Sequence, residues 1–163
     1  MLAQLQEKIP LRGFFRLHIV NPGKDGQPDE IVGDSGWLEN QVTNEGFRAI
    51  SRLIGNIAGS SQVTHAALGT GGAPAAADTV LAGEQSVRAA VTAVTSSNSK
   101  AVQFTATFDS AVSFVTASKN LSNIGLGATS TAGAATIFCG AAYTSSAVAT
   151  NQNVNVTYTI NLA

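Results

Sequence analysis

Alternation of apolar and polar residues predicts β-strands in three well-defined segments of the chain. Residues 14–20 place Phe15, Leu17 and Ile19 on one face at a period of two, which is typical of a half-buried strand. The same alternation runs through residues 102–108 and, most regularly, through residues 154–160. These segments predict strands with one face in a core and the other face polar.

Shorter apolar runs predict further strands, and small or polar residues predict the turns between them. The additional strands are expected at about residues 36–42, 63–68, 87–93, 112–115, 121–126 and 136–143, with turns at 21–28 and 96–99. Because no helix-length segment separates the later strands, a doubly wound parallel sheet is not expected. The pattern predicts a mainly β fold, an antiparallel β-sandwich or jelly-roll-like barrel.

One amphipathic helix is predicted at about residues 44–58. Phe47, Ile50, Ile54 and Ile57 recur at helical spacing and Leu53 widens the stripe, so we expect this face to pack on the sheet. Two sequence signals bound the helix: Thr43 or Asn44 can cap its start, and Gly59 can close its last turn. Burial of the stripe, at about 1.5–3 kcal/mol per large side chain, is expected to outweigh the cost of two internal glycines.

The length and composition fit one β-rich domain with a short arm. The chain has 163 residues, of which 44% are hydrophobic. Residues 1–12 carry no strand pattern and predict an extended or weakly helical N-terminal arm. The domain itself is expected to occupy residues 13–163.

Charge is scarce and unevenly placed. Charged residues make up 12% of the chain, and Asp109 and Lys119 are the only ones after residue 100. With a net charge of −1 and no basic block, the chain is not expected to bind nucleic acid directly. It also has no apolar run of about 20 residues and no signal-peptide pattern, so neither a membrane span nor export is expected. The single cysteine, Cys139, cannot form an internal disulfide, which is consistent with folding in a reducing cytoplasm.

The tetrapeptide Gly33–Gly36 has the sequence Gly-Asp-Ser-Gly, which matches the nucleophile motif of chymotrypsin-like serine proteases. That chemistry requires a serine activated by a histidine, which a buried aspartate orients. Here only His18 precedes Ser35, with too little chain between them, and His65 follows it. We therefore predict a turn in which Asp34 and Ser35 bond the local backbone.

The other candidates for chemistry are equally weak, and we predict no catalytic, cofactor-binding or metal-ligating residue. His18, His65 and Cys139 have no metal-ligand spacing. The glycine-rich segment 69–72 lacks the Lys-Ser/Thr of a phosphate-binding loop, so a flexible connection is expected. Cys139 is expected to be a buried, inert thiol. Asp29 and Glu30 are expected to lie on the solvated surface. Trp37 is expected to pack on the helix rather than to anchor an interface.

Two stretches resemble small virion proteins of tailed bacteriophages. The first is Thr43-Asn44-Glu45-Gly46 at the start of the helix; the second is Ala67-Leu68-Gly69-Thr70-Gly71, with Pro74, Asp78-Thr79, Leu81 and Glu84 after it. The strands at 121–126, 136–143 and 154–160 also look like the closing strands of those proteins. The first of these strands reads Leu121-Ser122-Asn123-Ile124-Gly125-Leu126, where the resembling proteins usually carry an acidic residue.

This resemblance implies a non-enzymatic structural protein of the virion, folded in the host cytoplasm. It implies a capsid decoration (cement) protein that binds the major capsid protein as a homo-oligomer, with a trimer favoured. A tail-fibre, baseplate or other tail-associated module is the alternative. The residues independently fit an assembly role, because strands faced with Ser, Thr, Asn and Ala lose little side-chain entropy and little hydration when covered.

Overall fold

The strands expected from alternation form one antiparallel sheet that is nearly closed into a barrel. The computed structural model describes residues 11–94 and 99–162. Within these ranges the elements are β1 (Leu11–Asn21), β2 (Glu30–Asp34), β3 (Leu38–Val42), α1 (Asn44–Ile54), β4 (His65–Gly69), β5 (Ala89–Ala90), β6 (Thr92–Val94), β7 (Ala101–Phe108), β8 (Lys119–Gly127), β9 (Ile137–Val148) and β10 (Asn153–Leu162). The predicted fold class, mainly β with one helix, is confirmed.

The sheet runs in the order β5-β4-β8-β9-β3-β1-β10-β7-β6, and β2 pairs with β1 beside this path. Its two end strands, β5 and β6, are separated in the chain by Val91 alone, so the chain itself brings the ends together. β3 joins the two halves: Leu38 to Asn40 pair with β1, whereas Gln41 and Val42 pair with β9. The architecture is therefore a nearly closed barrel, in which Val91 joins the two end strands of the sheet.

The core lies inside the barrel and is built from the predicted alternating faces. Phe15, Leu17 and Ile19 of β1 are at most 4% exposed. β10 pairs with β1 in continuous register and buries Val154, Val156, Tyr158 and Ile160. At the middle of this pair the rings of Phe15 and Tyr158 stack, with their centroids 5.8 Å apart. The side chains on the outer face of β10, such as Thr157 and Thr159, are half-buried.

The N-terminal hairpin differs from the prediction. A single second strand was expected from Gly36, but two short strands share the same edge of β1: β2 pairs with His18 to Asn21, and β3 pairs with Gly13 to Phe15. The alternation of apolar and polar residues did not predict β2 because this strand has no buried face: Ile31 and Val32 are 59% and 47% exposed.

The predicted helix is present but shorter than expected. It ends at Ile54 and is capped by Gly55, not by Gly59, whereas the expected N-cap Thr43 is confirmed. Thr43 is fully buried, accepts the Gly46 N–H at 3.1 Å and donates to the Ile137 carbonyl at 2.6 Å. The start of the helix is thus bonded directly to β9.

Three smaller expectations also changed. The strand expected at 112–115 is a 3₁₀ turn at Ser110–Val112, followed by buried Phe114 and Val115. The strand expected at 87–93 is divided into β5 and β6. Most of the predicted arm (1–12) and of the turn at 96–99 lies outside the described residues, although Leu11 and Arg12 belong to β1.

Candidate interaction surface

The Gly-Asp-Ser-Gly segment covers the last two residues of β2 and the first two of the turn to β3, and the side chains of Asp34 and Ser35 bond the backbone as predicted. The Ser35 hydroxyl accepts the Leu17 N–H at 2.9 Å and donates to the Gly36 carbonyl at 2.8 Å. Asp34 accepts the Gly36 N–H at 2.8 Å and bonds the Arg16 guanidinium through both carboxylate oxygens, at 2.9 and 2.5 Å. These bonds with Arg16 and Gly36 hold the pKa of Asp34 well below its ordinary value. The Nε2 atom of His18 lies 3.5 Å from the Oδ1 atom of the Asp34 carboxylate.

Cys139 is buried inside the barrel. It is fully inaccessible, and desolvation raises the pKa of its thiol to about 12. Beside it lies Tyr158, whose hydroxyl accepts a hydrogen bond from the Asn40 amide. A thiol with so high a pKa is a poor nucleophile and a poor metal ligand at neutral pH. The expected buried thiol is therefore confirmed.

Metal-binding side chains do not gather in the described part of the chain. No group of three or more His, Cys, Asp or Glu side chains there has an arrangement that could hold an ion. His65 lies on β4, where partial burial and the charge of Arg88 lower its pKa. In the same residues, no helix is long and apolar enough to cross a membrane.

The glycine-rich segment 69–72 is held by side chains of β8 and by backbone bonds. The Asn123 amide donates to the carbonyls of Gly72 and Ala82, both at 2.9 Å, and Ser122 donates to Gly71 at 2.9 Å. A Cβ on Gly69 would lie 2.4 Å from the Asn123 side chain, so this close approach requires glycine. Segment 69–72 is therefore held in place by hydrogen bonds, and the expectation of a flexible connection is wrong.

A buried ion pair lies further along the chain, between Glu84 and Arg88, and nothing in the sequence pattern indicated it. The Arg88 and Glu84 side chains are 0% and 5% exposed, and their closest nitrogen and oxygen atoms lie 2.5 Å apart. Arg88 also donates to the carbonyls of Thr129 and Ala134, at 3.1 and 3.3 Å. Glu84 thus has a structural role in this chain, in the ion pair with Arg88 and in a hydrogen bond from the Gly133 N–H.

The largest departure from expectation is that most of the apolar stripe predicted for α1 is not covered, although Ile50 is partly buried and packs against the core as expected. Ile54 is 83% exposed, and Phe47 and Ile57 are 50% and 53% exposed. These three residues, of which Ile57 lies just beyond the end of α1, are called the α1 stripe below. The helix contacts the barrel through Gly46, where a Cβ would lie only 2.2 Å from the Phe138 carbonyl oxygen, and through Ala49 and Ile50. Trp37, which was expected to pack on the helix, is half exposed.

Beside the α1 stripe, an apolar groove of about 420 Å³ opens at one end of the barrel. Its walls include Leu11, Ile50, Leu53, Val63, Phe138 and Leu162. These residues come from the start of β1, the inner side of α1, the connection after it and the ends of the long strands. Together, the α1 stripe and the groove form a continuous candidate interaction surface, since Ile50 and Leu53 lie on the same helix.

Comparisons with protein-family models, curated proteins and solved structures found no match to this chain.

The sequence located the stripe but assigned it to the wrong environment. Helical spacing identifies the residues that share a face, yet it is the same whether that face meets the sheet or a second molecule. Gly46 was the available signal: a glycine in the first turn of a helix permits a close backbone contact, which here forms with Phe138, and Ile50 is the stripe residue that packs against the core beside it.

Proposed function

We propose that this chain is a non-enzymatic structural protein of the virion, a capsid decoration protein. In this role it binds the lattice of the major capsid protein as a homo-oligomer, for which a trimer is favoured. The proposal is carried by one observation: the α1 stripe leaves large aliphatic and aromatic side chains in solvent, with Ile54 83% exposed. Contiguous exposed apolar surface on a folded protein is typical of protein–protein contact sites.

The composition of the outer strand faces supports the same role. On β10, Asn155, Thr157 and Thr159 alternate with the core residues, and Thr107 on β7 donates to Asn155 at 2.9 Å. Small uncharged groups cost less to desolvate than charges, so a second subunit can cover them at low cost. The motif residues described above add the resemblance to phage virion proteins.

The test is binding to expanded capsids of the phage that carries this protein. Purified protein is expected to bind them stoichiometrically and to raise their melting temperature. Ile54→Ser, at a position that is 83% exposed, is expected to weaken this binding by at least tenfold. Arg48→Ser is the control on the same helix, because Arg48 is a polar, largely exposed position whose ion pair with Glu45 is expected to contribute little. Absence of stoichiometric binding by the unaltered protein would overturn the proposal.

The tail-associated alternative predicts a different copy number. A decoration protein is present in hundreds of copies per particle, whereas a tail-fibre or baseplate module is present in a few. Quantifying the protein band in purified particles therefore distinguishes the two. Sedimentation equilibrium of the isolated protein tests the expected trimer separately.

A further inference from the structure

The groove beside the α1 stripe extends from the surface into one end of the barrel. Its lining reaches the core residues Phe104 and Ile160, which are 7% and 4% exposed, and Ile50 and Leu53 of α1 also line it. Its volume of about 420 Å³ lies within the range of about 300–1,000 Å³ that is typical of small-molecule sites. The mouth of a β-barrel is also a common place for such a site.

Polar and apolar groups are segregated within the described lining. The three polar side chains, Gln62, Ser99 and Lys100, are all exposed. Most of the apolar lining, such as Val63 and Val102, is half-buried or buried. A ligand that matches this arrangement has an apolar body inside the groove and a polar end at its rim.

The rim also indicates the charge of that polar end. Lys100 is the only charged side chain in the described lining. Its carbonyl accepts the Leu162 N–H at 2.8 Å, so its backbone is held against the end of β10. An ammonium group in this position favours a carboxylate, with which it can form a charge-assisted hydrogen bond.

We propose that the groove binds a fatty acid, with the alkyl chain along the apolar walls and the carboxylate at Lys100. An extended peptide fits these walls less well, because its N–H and C=O groups would lose water without finding polar partners. An alkyl chain has no such groups and gains free energy with every methylene that it buries. The proposal goes beyond the virion role and does not depend on it.

Calorimetric titration of the full-length, lipid-stripped protein with decanoate and with decanol tests the proposal. Each is expected to bind at one molecule per chain. Lys100→Gln is expected to weaken decanoate binding about threefold to fivefold, as for a solvent-accessible ion pair, and to leave decanol binding unchanged. Lys24→Gln is the matched control, because Lys24 is an exposed lysine beyond the other end of β1 from Leu11, and it is expected to change neither.

Two further variants test the location of the site. Val63→Trp places an indole in the groove and is expected to abolish binding of both molecules. Leu162→Glu, at a 48% exposed position, keeps the test decisive if the tryptophan variant does not fold. It adds a carboxylate beside the Lys100 backbone and is expected to weaken decanoate binding more than decanol binding.

Three results would overturn the proposal. The first is no saturable binding of decanoate by the unaltered protein below the micellar concentration, which would mean that protein atoms, from this chain or another, take up the groove. The second is an equal loss of decanoate and decanol binding in Lys100→Gln. The third is unchanged decanoate binding by Leu162→Glu. All of these measurements use the isolated protein, so a failure here is distinct from a failure to bind capsids.

Discussion

Arg88 and Glu84 form an ion pair that is almost wholly removed from solvent, with side-chain exposures of 0% and 5%. Two hydrogen bonds, of 2.5 and 3.1 Å, join the guanidinium to the two carboxylate oxygens. Glu84 also accepts the Gly133 N–H at 3.1 Å. The pair therefore ties the segment before β5 to the connection between β8 and β9.

Breaking this pair from one side is expected to destabilise the protein strongly. Arg88→Met leaves the Glu84 carboxylate buried without its counter-charge, which costs about 3–5 kcal/mol. The double variant Arg88→Met/Glu84→Gln removes both charges and is expected to recover part of that loss. Urea unfolding of the unaltered protein, Arg88→Met, Glu84→Gln and the double variant measures the coupling, and a loss in the double variant equal to the sum of the two single losses would contradict it.

Gly46 and Gly55 provide a matched pair of glycines on one helix. Gly46→Ala brings a Cβ to 2.2 Å from the Phe138 carbonyl oxygen. The resulting steric overlap is expected to destabilise the folded protein by about 1–3 kcal/mol, which exceeds the stability gained from the higher helix propensity of alanine. Gly55→Ala meets nothing closer than 3.3 Å at an ordinary helical φ of −79°, so its effect is expected within about 1 kcal/mol of zero. Thermal unfolding compares them, and equal melting temperatures would be inconsistent with a Gly46-mediated contact.

The Arg16–Asp34 pair predicts a specific pH dependence of stability. The folded-state pKa of Asp34 is lowered, chiefly by the Arg16 hydrogen bonds, so ionised Asp34 stabilises the folded state above its unfolded pKa of about 3.9. This contribution is lost as the pH falls below about 4 toward the lowered pKa.

Asp34→Asn is therefore expected to lower the melting temperature most at pH 6–7 and progressively less on acidification. Both groups are more than a third exposed, so 1 M salt is expected to shrink the difference at neutral pH. A melting-temperature difference that grows as the pH falls would show that the sign is wrong.

Cys139 is expected to be unreactive in the folded protein. Burial raises the pKa of its thiol to about 12, which leaves little thiolate at pH 8 and blocks access to it. Reaction with a disulfide reagent at pH 8 is expected to be at least 100-fold slower than in denaturant, where the ordinary pKa of about 8.5 applies. Cys139→Ser gives the background rate, and rapid labelling of the native protein would mean that the barrel opens at this position.

The strands that the sequence predicted well share one property: each has a face in the core. Phe15 to Ile19 in β1 and Val154 to Ile160 in β10 are buried at every second position, so amphipathic alternation records their environment. β2 has no buried face, because it lies at the outside edge of β1, and its sequence carries no alternation to read.

The candidate interaction surface was only half predictable. The periodicity of Phe47, Ile50 and Ile54 is a property of the helix and fixes which side chains share a face. Which of them meets the sheet depends on the Gly46 contact, and the groove depends on how distant chain segments meet at one end of the barrel. Neither is encoded in local spacing.

The register of β1 with β10 places Leu11 directly opposite Leu162. The two ends of the described chain therefore emerge side by side at one rim of the barrel. A short peptide joining them would close the backbone into a ring without crossing the core, and new termini could be opened in the exposed loop around Gly26. A circular permutant of residues 11–162 built in this way would keep every strand pairing, and its new termini would lie beyond the other end of β1.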